Sequence, residues 1–224
     1  MADVFDRAPK VELHLHLEGA IPVESLWQLA ERYGDPQTRS LDDVRARFEY
    51  RDFAHFIETW QWMLPYIRTP DDWTAVAEAV ARSLAKQNIV YAEASISPTD
   101  FRQHGLSLAE IATAVRRGLD RVDETQVNLL VDLVRDTGPE WCARTLDQVI
   151  EVAPEAGIVG ITIGGSEQDY PPGPYAQVYR RAGDAGLGRT VHAGEAGGPA
   201  NVWTALEELG VDRIGHGVRA VEDS

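Results

Sequence analysis

The sequence predicts an α/β protein in which parallel strands alternate with helices in the manner of a barrel. Two observations carry this. Six short apolar runs are separated by stretches with helical periodicity and readable helix ends, the pattern of a parallel sheet covered by helices. The runs are also apolar on both faces, as strands are when side chains fill a barrel interior and helices cover the outside.

In chain order, the first run is "VELHLHLE", residues 11–18, and the second is "IVYAEASIS", residues 89–97. The connection between them is long, and residues 20–87 hold several helices before the second strand. An insertion of that kind over a strand's C-terminal end commonly forms a lid. Within it, "RDFAHFIETWQWMLPYI" carries Phe53, Phe56, Trp60, Met63 and Leu64 at helical spacing, mostly a core stripe, with Phe56 and Trp60 as candidates to close over a ligand. "TPDDWTAVAEAVARSLAKQN" opens with Thr69 as cap, Pro70 in the first turn and two carboxylates at the positive end of the helix dipole. Ser97 and Pro98 shape a turn after the second strand. "SLAEIATAVRRGLDRV" follows, with Ser107 and Glu110 at capping-box spacing. The remaining strands are "VNLLVDLVR", "GIVGITIGG", "GRTVHAGE" and "RIGHGVR", and Gly34, Gly186 and Gly210 mark helix stops. No linker or second domain is evident, so residues 1–224 read as a single domain.

Composition narrows the function. With 44% hydrophobic and 25% charged residues, the chain can bury an ordinary core. No apolar run has the length of a membrane helix, and "MADVFDRAPK" lacks the basic-then-apolar pattern of a signal peptide, so a cytoplasmic location is expected. A formal charge of -15 would repel a phosphate backbone, which argues against nucleic acid as a partner. Cys142 is the single cysteine; in the helix-like "GPEWCARTLDQVIEV" it reads as a packed thiol without a catalytic role.

The chemistry lies in the histidines. In a strand His14 and His16 leave the same face, a spacing suited to a chelate, while Leu13, Leu15 and Leu17 would pack on the other. From the pair alone, two histidines hydrogen-bonded at a sheet end remain an alternative. His192 and Glu195 in "TVHAGEAGG", and His216 in "RIGHGVR", belong to the C-terminal ends of two further strands, where parallel barrels place their chemistry. Four of the six histidines thus fall at three strand ends, and a catalytic metal explains that better than chance. Neutral imidazoles suit Zn²⁺. The only lysines are Lys10 and Lys86, neither placed to bridge two ions, so one ion per chain is expected.

Taken together, "HLHLEGA", "ISPTDF", "GITIGGSE", "VHAGE" and "RIGHG" resemble the adenosine deaminase family, a metal-dependent branch of the amidohydrolases built on a (β/α)8 TIM-type barrel. The resemblance implies His14, His16 and His192 as zinc ligands, with His16 also near the substrate. It implies Glu195 as proton donor to the purine ring, and His216 as the residue that holds and activates the attacking water. It also implies that the backbone amide of Gly165 contacts the purine. Those residue types suit the reaction: zinc supplies hydroxide at neutral pH, and attack on the ring carbon requires a carboxyl group to protonate the neighbouring ring nitrogen. Glu195, partly desolvated, would retain that proton.

Glu18 departs from the family's usual aspartate, which contacts the sugar's 5′ hydroxyl. The expected substrate is adenosine or a close 6-aminopurine nucleoside; relatives with the Glu form act on free adenine or on 6-aminodeoxyfutalosine. Two readings of other classes are a barrel phosphoesterase, disfavoured by the acidic balance, and a non-catalytic nucleoside-binding barrel, disfavoured by the retained Glu195. Finally, only about six of the eight family strands are accounted for before "AVEDS". Family members continue with two more, the last ending in an aspartate that completes the zinc site, and neither Asp132 nor Asp136 on the third strand fits that position. The expectation is a C-terminally incomplete barrel whose first and last strands keep open edges and exposed apolar faces, inactive as 224 residues alone.

Overall fold

The computed structural model describes residues 4–223; the first three residues of "MADVFDRAPK", the last of "AVEDS" and the side chains of Asp6, Phe53, Ala54 and Arg102 lie outside the described residues. The six expected strands are all present, and their order follows the sequence from first to last. Helices occupy each interval between consecutive strands, the succession of a (β/α) barrel. The chain divides into two compact units, residues 1–94 with 100–127 and residues 95–99 with 128–224, described in turn.

The first unit holds α1 (Val4–Arg7), β1 (Lys10–His16), α2 (Val23–Tyr33), α3 (Leu41–Arg47), α4 (Phe53–Met63), α5 (Pro70–Lys86), most of β2 (Ile89–Ile96) and α6 (Leu108–Leu119). The predicted capping box of Ser107 and Glu110 opens α6, and the predicted cap Thr69 opens α5, where it forms a second capping box with Asp72; each pair exchanges side chain for backbone amide. Gly34 ends α2 in the left-handed conformation, as expected. Helices α5 and α6 approach closely because Gly118 has no side chain: a Cβ there would lie 2.3 Å from the Thr74 carbonyl oxygen. The same approach lets the Thr74 hydroxyl donate to the Ala114 carbonyl at 3.0 Å. Trp73, fully buried, packs edge-on against Phe101 at 4.6 Å between ring centroids.

One expectation for β1 fails in part. Leu17 is buried, but it lies past the strand's end, whereas Leu13 is 38% exposed and Val11 62%. β1 stands at one end of the strand order, and Val11 and Leu13 lie on the same face of it. At the other end, Ile214 of β6 is half-buried.

The second unit holds most of β3 (Gln126–Asp132), then α7 (Pro139–Ala156), β4 (Ile158–Thr162), α8 (Ala176–Asp184), β5 (Gly188–Ala193), α9 (Pro199–Thr204) with a π-turn over Ala205–Leu209, and β6 (Arg213–His216). Strands β3 to β6 pair in parallel, His192 opposite Gly215 and Ala193 opposite His216. Cys142 is fully buried on α7, its thiol donating to the Leu133 carbonyl; burial pushes that thiol up to about 11, so the reading of an unreactive packed cysteine stands.

Candidate active site

In the first unit the site begins where β1 ends. Period-2 alternation sends His14 and His16 to one side, their rings edge-to-face with centroids 5.7 Å apart. The chain then turns through Glu18–Ala20, and Glu18 is completely buried in that turn. The aromatic stripe of α4 reaches this point. Trp60 stands edge-on to His16 at 5.9 Å, and a Cβ on Gly19 would come within 3.0 Å of the Trp60 ring, so indole and turn touch only because residue 19 is glycine. Phe56 continues the cluster, 6.5 Å from Trp60 and 5.4 Å from Tyr50. The two lid candidates therefore sit beside the histidine pair rather than in a remote core.

In the second unit, His192 is nearly buried near the end of β5, with Nδ1 3.5 Å from the Thr162 hydroxyl. His216 ends β6 in the left-handed conformation, φ +65°, with Gly217 after it at +63°. A side chain rarely adopts that backbone geometry, and here it brings the two imidazoles to 5.1 Å. Glu195 follows in the loop after β5 and approaches His216 Nε2 at 3.4 Å. Its side chain is 38% exposed, a carboxyl only partly removed from water. The loop turns its backbone amide toward Glu167 and leaves the carboxyl beside His216.

Gly165 lies where only glycine fits. Its φ is +95°, and a Cβ would stand 1.9 Å from Asp136 Oδ2. The two aspartates excluded as ligands have other tasks. Asp132 Oδ1 accepts the amides of Gly164 and Val134, and Ser97 donates to its other oxygen at 3.4 Å. Asp136, which lies in the turn after β3 rather than on the strand, accepts the Ser166 amide at 2.9 Å.

Two residues of this unit were not foreseen. Arg135 is fully buried, and its guanidinium donates to the carbonyls of Gly164, Tyr170, Ile163 and His192, the last at 2.6 Å. Glu167 is 3% exposed and gathers the amides of the Glu195 loop. The available signals were a charged residue closing the apolar run "VNLLVDLVR" and the last letter of "GITIGGSE".

Among the described residues, His14, His16 and His192 form a group whose donor atoms all lie within 4.8 Å of one another. Three neutral imidazoles at that spacing fit a Zn²⁺ ion with bonds of ~2.0 to 2.1 Å.

Comparison with known proteins agrees with this reading. The sequence model described as adenosine deaminase matches residues 9–224. An adenine deaminase of Bordetella avium (strain 197N) is 32% identical over 227 residues, all of this chain and 71% of that protein. One from Rhizobium leguminosarum bv. trifolii is 36% identical over 220 residues, 96% of this chain and 66% of that protein. Among solved structures, adenine deaminase from Arthrobacter aurescens superposes with a TM-score of 0.87 at 31% identity, covering 96% of this chain and 67% of its own. A cog1816 amidohydrolase from Burkhoderia ambifaria with bound Zn gives 0.88 at 30% identity, covering 98% and 61%. The fold is thus the TIM-type barrel expected, with six of its strands in this chain, and the chain belongs to the adenosine deaminase family, whose enzymes hydrolyse C–N bonds.

Proposed function

We propose that the chain belongs to a zinc-dependent aminohydrolase that converts free adenine to hypoxanthine and ammonia. The observation that carries the reading is the gathering of His14, His16 and His192, with Glu195 and His216 in contact at the ends of β5 and β6. The preference for the free base over adenosine, the first expectation from sequence, has two supports. The curated relatives are named adenine deaminases. In addition, Glu18, at the position where the usual family member offers an aspartate to a sugar, is completely buried, and Trp60 stands against the next residue, Gly19.

His14, His16 and His192 would hold the ion, and when bound it supplies Lewis acidity that makes hydroxide available near neutral pH. The rest falls to side chains of this chain. Glu195 donates a proton to the ring nitrogen next to the amino-bearing carbon, so that attack yields a neutral ring rather than an anion. His216, 3.4 Å from Glu195, orients the incoming water, accepts its proton and returns it to the departing amino group, which leaves as ammonia while the new hydroxyl's proton restores Glu195. The Gly165 amide, free of any Cβ beside it, donates to the purine edge, and Trp60 with Phe56 excludes solvent.

Metal analysis of the purified full protein tests this assignment: about one divalent ion per chain is expected, lost in His16→Ala and kept in Glu195→Gln, which should drop turnover by at least on the order of 10²-fold. Two ions per chain, or Glu195→Gln turning over adenine at the parent rate, would contradict it.

A further inference from the structure

The loop carrying Glu195 is held by one carboxylate. Four successive backbone amides, Gly194, Glu195, Ala196 and Gly197, donate to the two oxygens of Glu167 at 2.7, 3.0, 2.9 and 2.8 Å, and Asn201 Nδ2 adds a fifth bond at 3.1 Å. The arrangement is an anion nest turned inward, filled by the chain's own side chain. Burial alone would raise the Glu167 carboxyl, but the amides of Gly197, Gly194 and Ala196 and the Asn201 side chain outweigh it and hold the group below its ordinary range.

The surroundings are built for this contact. A Cβ on Gly197 would fall 2.1 Å from Asn201 Nδ2 and 2.6 Å from Glu167 Oε1, and one on Gly194, at φ +69°, would fall 2.7 Å from Val202. From its other side, the loop's Ala196 carbonyl accepts from Arg219 Nη1 at 3.0 Å and Gln168 Nε2 at 3.2 Å. With its amide committed to Glu167, Glu195 has one backbone orientation, and that orientation sends its side chain outward to His216.

We propose that Glu167 is a positioning residue for proton transfer by Glu195, fixing the donor through its backbone. This rests on the adenine deaminase reading above. A glutamine at 167 keeps the shape but replaces one acceptor oxygen by an NH2 group facing amide donors, so the loop loses its fixed geometry. Misplacement on the scale of 1 Å costs about 10²-fold in rate.

The test is a double-mutant cycle on the full protein, zinc-loaded, with adenine: parent, Glu167→Gln, Glu195→Gln and the double variant. Glu167→Gln is expected to lower kcat by about 10- to 100-fold while KM moves by less than about threefold. In the Glu195→Gln background the same change is expected to cost less than about threefold, because the donor it positions is already gone. A merely structural role would lower the active fraction equally in both backgrounds, and losses that multiply would overturn the proposal. If Glu167→Gln does not fold, Asn201→Ala, which removes one of the five bonds, is carried through the same cycle. It is expected to be less than additive with Glu195→Gln, and additive losses would again overturn the proposal. A parent inactive on every 6-aminopurine defeats the functional reading itself, whereas an active parent with multiplying losses defeats only the role of Glu167.

Discussion

Replacing Arg135 by methionine tests how the second unit is held together. The guanidinium is fully buried and its donors reach four carbonyls, at 3.2 Å to Gly164, 3.1 Å to Tyr170, 3.1 Å to Ile163 and 2.6 Å to His192. Two of these keep a backbone donor after the substitution, since Gly164 accepts the Arg135 amide and Ile163 accepts that of His192. The loss therefore falls on the carbonyls of Tyr170 and His192. At ~1 to 3 kcal/mol for each buried acceptor deprived of its partner, the bracket is about 2 to 6 kcal/mol. Relief of the guanidinium's own desolvation pulls the net toward the lower end, to about 3 kcal/mol. Urea denaturation should show this as a lower midpoint at unchanged slope. By calorimetry it corresponds to a fall in Tm of roughly 6 to 12 °C for a domain of this size. Because the His192 carbonyl is one of the four, zinc affinity should fall as well. A methionine variant within about 1 kcal/mol of the parent, with zinc bound as tightly, would refute the reasoning.

Two further outcomes follow from single residues. Gly165→Ala places a methyl group 1.9 Å from Asp136 Oδ2 at φ +95°, so it should destabilise by more than about 2 kcal/mol and raise KM for purines; an active, equally stable variant would show that the turn yields freely. Cys142, buried with its thiol pushed up to about 11, should resist a thiol reagent at pH 8 in the native protein and react at once in guanidinium; rapid native labelling would contradict its place in the core.

Much of this was legible in the sequence because it is local. Period-2 spacing put His14 and His16 on one face, and the cap at Thr69 and the capping box at Ser107 fixed where α5 and α6 begin. The six strands were legible for the same reason, each being a short apolar run bounded by turn residues. The Phe56 and Trp60 stripe was visible as periodicity, but only the missing Cβ of Gly19 explains why it meets His16. What escaped is long-range. Glu167 meets its loop 27 to 30 residues away, and Arg135 reaches a carbonyl 57 residues on, so neither contact leaves a spacing to recognise. Substrate preference also lay beyond local patterning: Glu18 marked the position as unusual, and the relatives moved the reading from adenosine to adenine.

The central claim is tested most directly by incubating the zinc-loaded full protein with adenine, adenosine and 6-aminodeoxyfutalosine while following ammonia release and the ultraviolet shift of deamination. The account predicts that adenine is consumed fastest and that His192→Ala abolishes the reaction. Failure to deaminate any of the three, or undiminished turnover in His192→Ala, would contradict it.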